Sequence, residues 1–83
     1  MYWLYILQSV SKDHFYIGSS FDLKQRLAKH NSGSSKSTKP YRPWMIIYQE
    51  QCATKEEAVK REYFLKSPKG YLEKKEIFER NKK

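Results

Sequence analysis

The residues of this chain best suited to chemistry are a tyrosine, an arginine and a histidine that lie close together in sequence. Tyr16 belongs to the segment Tyr16-Ile17-Gly18, Arg26 follows ten residues after the tyrosine, and His30 follows another four later. Side chains four apart on a helix share one face, so Arg26 and His30 should project together beside the strand that carries Tyr16. A phenol, a guanidinium and an imidazole in one place can handle protons and phosphate charge. This grouping suggests chemistry on a phosphodiester.

The segments around these residues predict a β-hairpin followed by a helix. Residues 2–7 and 15–17 are apolar and aromatic, and the residues between them favour a turn. Phe15-Tyr16-Ile17 is interpreted as the second strand and Gly18-Ser19-Ser20 as the exit from it. Ser20 is then the predicted cap of a helix that begins near Phe21 and stops at Asn31-Ser32-Gly33.

The second half of the chain predicts one further strand and two helices. Residues 33–43 are rich in Gly, Ser, Thr, Lys and Pro, which predicts an exposed, mobile loop too polar to pack. Residues 44–48 predict a buried strand, and Thr54-Lys55-Glu56-Glu57 matches a capping box that opens a helix running to about Lys66. Residues 71–81 predict a last helix that frays into Lys82 and Lys83. The element order is β-β-α-β-α-α, in a single domain of residues 1–83.

Glu62 is the least expected residue because it falls on the apolar face of the helix opened at Thr54. It lies four residues after Ala58 and three before Leu65. A buried carboxylate must be paired, hydrated or bound to a cation. Two interpretations stay open: a salt bridge to Arg61, Lys66 or Arg26, or a site for Mg²⁺, which commonly uses only one or two protein carboxylates.

Taken in order, several segments together resemble the GIY-YIG nuclease superfamily, in particular its small stand-alone bacterial members. These are Trp3-Leu4-Tyr5, Tyr16-Ile17-Gly18, Arg26, His30-Asn31 and Glu62. The resemblance implies a three-stranded antiparallel sheet flanked by helices, an α+β fold that agrees with the predicted element order. It also implies an endonuclease that cleaves DNA with one Mg²⁺ or Mn²⁺ ion.

The resemblance also implies a role for each matching residue. Tyr5 and Tyr16 match the two motif tyrosines, one of which is the general base or orients the attacking water, and the sequence leaves open which. Arg26 matches the catalytic arginine, His30 a histidine found in many members, and Glu62 the metal-binding glutamate. Trp3-Leu4-Tyr5 lacks the glycine and isoleucine of the first motif, and Ser19-Ser20 stands where several relatives have a lysine.

Composition agrees with a nucleic-acid partner. Seventeen Lys and Arg against nine Asp and Glu give a net charge of +8, which favours polyanions, although ordinary solubility is the alternative. Tyr41 and Trp44 could stack on an unpaired base, with core packing the alternative for Trp44. Candidates for phosphate contacts are Lys36, Lys39, Arg42, Lys55, Lys60 and Lys69.

The leading hypothesis is therefore a Mg²⁺-dependent endonuclease acting on DNA, weakly sequence-specific or selective for branched or damaged structures. The alternative is a catalytically weak or inactive nucleic-acid-binding module of the same fold that works with a protein partner. A protein-interaction adaptor with incidental basicity ranks last. A lone Cys52 and the lack of a leader or a long apolar run predict a cytoplasmic protein without a membrane segment.

Overall fold

A three-stranded antiparallel sheet lies at the centre of the computed structural model, which describes residues 1–81. Its strands are β1 (Tyr2–Ser9), β2 (Phe15–Ser20) and β3 (Trp44–Cys52), arranged in the order β2-β1-β3. β1 is the central strand and pairs antiparallel with both neighbours, so β2 and β3 are edge strands. The predicted hairpin and the predicted α+β sheet are confirmed.

Three helices and two short 3-10 helices complete the described part of the chain. The helices are α1 (Leu23–Ser32), α2 (Lys55–Lys66) and α3 (Tyr71–Asn81), and the 3-10 turns span Lys39–Tyr41 and Pro68–Gly70. The predicted element order is confirmed, and the continuation into Lys82 and Lys83 lies outside the described residues. No helix within residues 1–81 is both long and apolar enough to cross a membrane.

The central strand is apolar on both faces and therefore divides two cores. Successive strand residues point to opposite faces. Leu4 and Ile6 pack on one face in a cluster that includes Leu65 of α2 and Ile77 of α3, and we call this the α2 face. Tyr5 and Leu7 point to the other face, where they pack with Trp44 and with Leu23 and Leu27 of α1. We call that side the α1 face.

The predicted end of β2 is three residues early, and the predicted start of α1 is two residues early. Gly18, Ser19 and Ser20 continue β2, because β1 extends far enough to offer Trp3 as the partner of Ser20. The cap of α1 is Asp22, whose Oδ1 accepts a hydrogen bond from the Gln25 amide at 3.0 Å. The helix end was predicted correctly, since Gly33 caps it in the left-handed conformation at φ 84°.

The segment between α1 and β3 is not too polar to pack, contrary to the prediction. Thr38 is only 1% exposed, and its carbonyl accepts a hydrogen bond from the Trp44 indole at 3.0 Å. The side chain of Asn31 accepts from the Trp44 amide at 2.6 Å and donates to the Trp44 carbonyl at 3.1 Å. These bonds satisfy the polar groups of the segment, which allows it to dock against the α1 face.

A charged network ties α2 and α3 to the third strand. Arg61 of α2 binds Glu50 of β3 with Nε–Oε1 and Nη2–Oε2 distances of 2.9 Å, and it also pairs with Glu73 of α3. Burial of the Glu50 carboxyl opposes its ionisation, but hydrogen bonds from Arg61 and Tyr48 outweigh this and lower its pKa. Burial and the Glu50 carboxylate in turn raise the pKa of Tyr48 to about 12. Helix α2, which carries Glu62, is thereby fixed against the sheet.

Candidate active site

A hydrogen-bonded chain of buried side chains connects the central strand to α1. Tyr5 of β1 and His30 of α1 are each only 2% exposed, and the Tyr5 hydroxyl lies 3.1 Å from His30 Nε2. His30 Nδ1 lies 3.0 Å from the Thr38 hydroxyl, which itself donates to the Ser35 carbonyl at 3.4 Å. Because Thr38 has one proton to give, it accepts from Nδ1–H. The network thus assigns the Tyr5 hydroxyl as a donor to a neutral His30.

The electrostatic surroundings of Tyr5 and His30 favour the same protonation states. Burial lowers the pKa of His30, and the positive charges of Arg26 and Lys29 lower it further. Burial raises the pKa of the Tyr5 phenol, helped by Tyr16 and opposed by Arg26. A neutral imidazole and a protonated phenol are therefore the stable forms near neutral pH.

Tyr16 lies beside this pair but is more accessible. Its ring centroid is 4.9 Å from that of His30 and 6.3 Å from that of Tyr5. Lys66 Nζ sits 5.8 Å from the centre of the Tyr16 ring. Tyr16 is half-buried, so its ring packs within the cluster while part of the side chain meets solvent.

Gly18 is required by a close approach of the Tyr5 ring. The two residues are directly opposed in the β1–β2 pairing. A Cβ atom at Gly18 would lie 2.6 Å from the Tyr5 hydroxyl and 2.8 Å from Cζ, well inside van der Waals contact. The Tyr5 ring cannot easily move aside, because it is buried and hydrogen-bonded to His30.

Arg26 lies one helical turn before His30 and keeps its guanidinium available. Its positive charge opposes the burial-driven rise of the Tyr5 pKa and adds to the burial-driven fall of the His30 pKa. Within residues 1–81, the Arg26 side chain forms no ion pair and no hydrogen bond. A half-buried guanidinium of this kind is suited to bind an oxyanion.

Glu62 approaches the same place from the other side of the sheet. Its side chain is 17% exposed, with Oε1 accepting from the Ser19 hydroxyl at 3.0 Å and Oε2 from Lys66 Nζ at 2.8 Å. Of the salt bridges proposed from the sequence, the one to Lys66 is formed. Ser19 points to the α2 face whereas Tyr5 and Tyr16 point to the α1 face, yet the charge of Glu62 still acts on the Tyr5 phenol. Lys66, which binds Glu62, links the carboxylate to the Tyr16 ring.

The carboxylate of Glu62 fits a single hard cation better than a multidentate cage. Residues 1–81 contain no group of three or more His, Cys, Asp or Glu side chains that could hold a metal ion. A carboxylate offers about four lone-pair sites, so its bonds to Ser19 and Lys66 leave capacity for another ligand. One carboxylate is sufficient for Mg²⁺ when water and substrate phosphate complete its coordination shell.

The basic residues predicted to contact phosphate are exposed but belong to two separate groups. Lys36, Lys39 and Arg42 lie between α1 and β3, whereas Lys55, Lys60 and Lys69 lie on α2 and the 3-10 turn after it. Arg42 is partly committed, since its Nε donates to the Lys39 carbonyl at 3.1 Å.

The two aromatic residues proposed to stack on a base are already packed against other residues of the protein. Trp44 is only 3% exposed, so core packing, the alternative given for it, is confirmed. The Tyr41 ring stacks on His14 at a centroid distance of 3.9 Å, and Lys12 Nζ lies 5.4 Å from its centre. Neither side chain offers a free ring face comparable to that of an exposed aromatic residue.

Three residues that shape the site were not identified as functional from the sequence. Thr38 orients His30, Ser19 orients Glu62, and Lys66 lies between Glu62 and Tyr16. The spacing of Lys66 four residues after Glu62 was a usable signal. Thr38 gave none, because its loop of small polar residues resembles any exposed connection.

Comparison with known proteins assigns the chain to one class of domain. The profile of the GIY-YIG catalytic domain matches residues 1–76, and the chain belongs to this nuclease domain family. Nucleases of the family generally use a divalent metal ion.

The individual relatives carry names that state no activity. The chain is 47% identical over 53 residues to a UPF0213 protein of Staphylococcus saprophyticus, an alignment spanning 63% of this chain and 65% of that protein. It is 42% identical over 67 residues to a UPF0213 protein of Staphylococcus aureus, spanning 80% of each. The solution NMR structure of a UPF0213 protein from Bacillus halodurans superimposes with a TM-score of 0.56 at 26% identity, covering 99% of this chain and 88% of that one.

Substituting Gly18 by alanine should destabilise the protein through the Tyr5 hydroxyl. We expect Gly18→Ala to lower the free energy of unfolding by roughly 1–3 kcal/mol, the usual cost of overpacking a core. In a Tyr5→Phe background the penalty should be smaller, because the nearest clashing atom is gone. Urea unfolding of the parent, both single variants and the double variant measures this coupling. Equal penalties in the two backgrounds would contradict the proposed contact.

The protonation state of His30 predicts a specific pH dependence. Because the folded pKa lies below the ordinary value of about 6.5, the unfolded chain binds a proton more readily, and stability should fall as the pH drops below that value. NMR titration of the imidazole signals, with His30→Gln to assign them, should give a His30 midpoint below about 6.5. A midpoint at or above that value would refute the neutral, buried imidazole.

Proposed function

We propose that this protein is a Mg²⁺-dependent endonuclease that hydrolyses phosphodiester bonds of DNA. The observation that supports the proposal is the packing of Tyr5, Tyr16 and His30 in one cluster. The charges of Arg26 and Glu62 both act on the Tyr5 phenol of this cluster. Hydrolysis of a phosphodiester needs a positioned water and positive charge near the phosphoryl oxygens as negative charge develops there. Membership of the nuclease domain family supports the same activity.

In this proposal Arg26 binds the scissile phosphate. Its guanidinium has no competing partner within the described residues, and Arg is the side chain best matched to phosphate geometry. The low exposure of the neighbouring Tyr5 and His30 reduces the local dielectric, which strengthens the interaction with the developing charge.

The two tyrosines have different roles in this proposal. The Tyr5 hydroxyl donates a hydrogen bond to His30, and burial opposes its ionisation, so we assign it to position the imidazole. Tyr16 packs against His30 but remains partly accessible to solvent, and we assign it to orient the attacking water.

Glu62 is the residue that would hold the metal ion, with Ser19 orienting its carboxylate. When bound, a divalent ion supplies positive charge that stabilises phosphoryl oxygens. Lys66 must then release Oε2 or share the carboxylate, and its ammonium would remain near the substrate.

The alternative of an inactive nucleic-acid-binding module is favoured by one observation. Both oxygens of Glu62 already accept hydrogen bonds, and the Lys66 ammonium supplies a positive charge where the metal is proposed. A protein of this kind would bind DNA through its basic surface and take specificity from a protein partner. The same basic surface would serve branched or damaged DNA in either case.

A nicking assay on supercoiled plasmid with Mg²⁺ tests the proposal. We expect the parent to nick DNA and each of two variants to reduce the rate by at least about 100-fold. Glu62→Gln removes the charged carboxylate proposed to hold the metal ion, and Arg26→Lys keeps the positive charge but removes the bidentate guanidinium contact to the phosphate. The matched control is Glu76→Gln, which alters another helical i,i+4 pair, with Arg80, on α3. This variant should nick like the parent.

Three results would decide between the two functions. Loss of activity in Glu62→Gln but not in Glu76→Gln supports the nuclease. Salt-dependent DNA binding without nicking by the parent supports the binding module. Equal nicking by the parent and Glu62→Gln would overturn the assignment of Glu62.

A further inference from the structure

A shallow cavity of about 640 Å³ opens beside the candidate active site. Its lining includes Ser20 at the end of β2, Phe21 in the following turn, and Gln25, Arg26 and Lys29 of α1. The volume falls in the range of about 300–1,000 Å³ typical of small-ligand sites. Arg26 belongs both to this cavity and to the catalytic cluster, so a molecule bound here would adjoin the proposed scissile phosphate.

Phe21 is the unexplained residue of this cavity. Its side chain is 69% exposed, although it sits within a turn whose neighbours are fixed by Ser20 and Asp22. It makes no ring contact with another aromatic residue or with a cation within residues 1–81. In contrast to Tyr41 and Trp44, it therefore presents an open ring face.

The charge of the lining selects an anionic ligand. Arg26 and Lys29 line the cavity, and no acidic side chain does. Asp22 is adjacent in sequence, but its carboxylate accepts the Gln25 amide as the cap of α1. Because Arg26 and Lys29 are three residues apart on one helix, their Cβ atoms lie about 5–6 Å apart, and two neighbouring phosphates could be bound.

We infer that this cavity is a subsite for an unpaired nucleotide next to the scissile phosphate. The base stacks on Phe21, Lys29 binds the phosphate that follows, and Gln25 lies within the same cavity. Base–aromatic stacking tolerates any base, because every base has a π-face. The inference rests on the proposed function and adds a preference for DNA that is single-stranded or locally unpaired at the cut.

The test measures binding separately from cleavage. In a Glu62→Gln background, fluorescence anisotropy gives the Kd for a labelled short oligonucleotide, single-stranded or annealed to its complement. We expect Phe21→Ala to weaken binding of the single strand about tenfold, the lower part of the range for one stacked base, and to affect the duplex much less. Phe21→Trp should retain affinity, and Phe21→Leu, which keeps apolar volume without a ring, should behave like Phe21→Ala.

The matched control is Tyr71→Ala, because Tyr71 is also an exposed aromatic residue near a lysine but belongs to α3. Its loss should leave binding of the single strand unchanged. The inference is overturned if Phe21→Ala matches Tyr71→Ala, if both DNA forms lose affinity equally, or if the single strand does not bind at all. A parent that fails to nick plasmid would refute the nuclease and not this binding result, so the two failures are distinguishable.

Discussion

The hydrogen bond of a buried tyrosine hydroxyl is the constraint on which the rest of this structure depends. Tyr5 lies in the central strand with almost no exposure, and a buried hydroxyl without a partner costs about 1–3 kcal/mol. His30 supplies the partner, and Thr38 fixes the imidazole in turn. These hydrogen bonds set the position of α1 against the sheet. They thereby also set the position of Arg26, which lies one helical turn before His30. The same ring leaves no room for a side chain at Gly18, so the glycine of the second motif serves the packing of the first motif's tyrosine.

The edge strand β2 carries Tyr16 on one face of the sheet and Ser19, the partner of Glu62, on the other. Edge strands leave one side of the backbone without a partner strand. Around this open side, the α1 face contributes Tyr5 and Tyr16 while the α2 face contributes Glu62 through Ser19. The cavity lined by Phe21 and Arg26 lies where β2 passes into α1.

The sequence predicted the elements whose signals are local and left unresolved those that depend on distant partners. Apolar and aromatic runs, the Thr54 capping box and Gly33 each identified an element or a helix end correctly. Ser20 and Asp22 are both good caps, and only the pairing of Ser20 with Trp3 decides between them. The loop containing Thr38 packs because Trp44 and His30 reach it, which no local pattern reveals. In the candidate site, helical periodicity was enough to show that Glu62 falls on an apolar helix face. Which groups donate and which accept in the hydrogen bonds joining Tyr5, His30 and Thr38 could be assigned only from the folded geometry.

The most direct test of the central claim is paramagnetic broadening of NMR signals by Mn²⁺. If Glu62 holds one cation beside the two tyrosines, substoichiometric Mn²⁺ should broaden the signals of Ser19, Glu62 and Lys66 most strongly. Those of Tyr16 and Tyr5 should follow, and Glu62→Gln should abolish the pattern. Broadening centred instead on the acidic residues of α3, and unchanged by Glu62→Gln, would contradict the account.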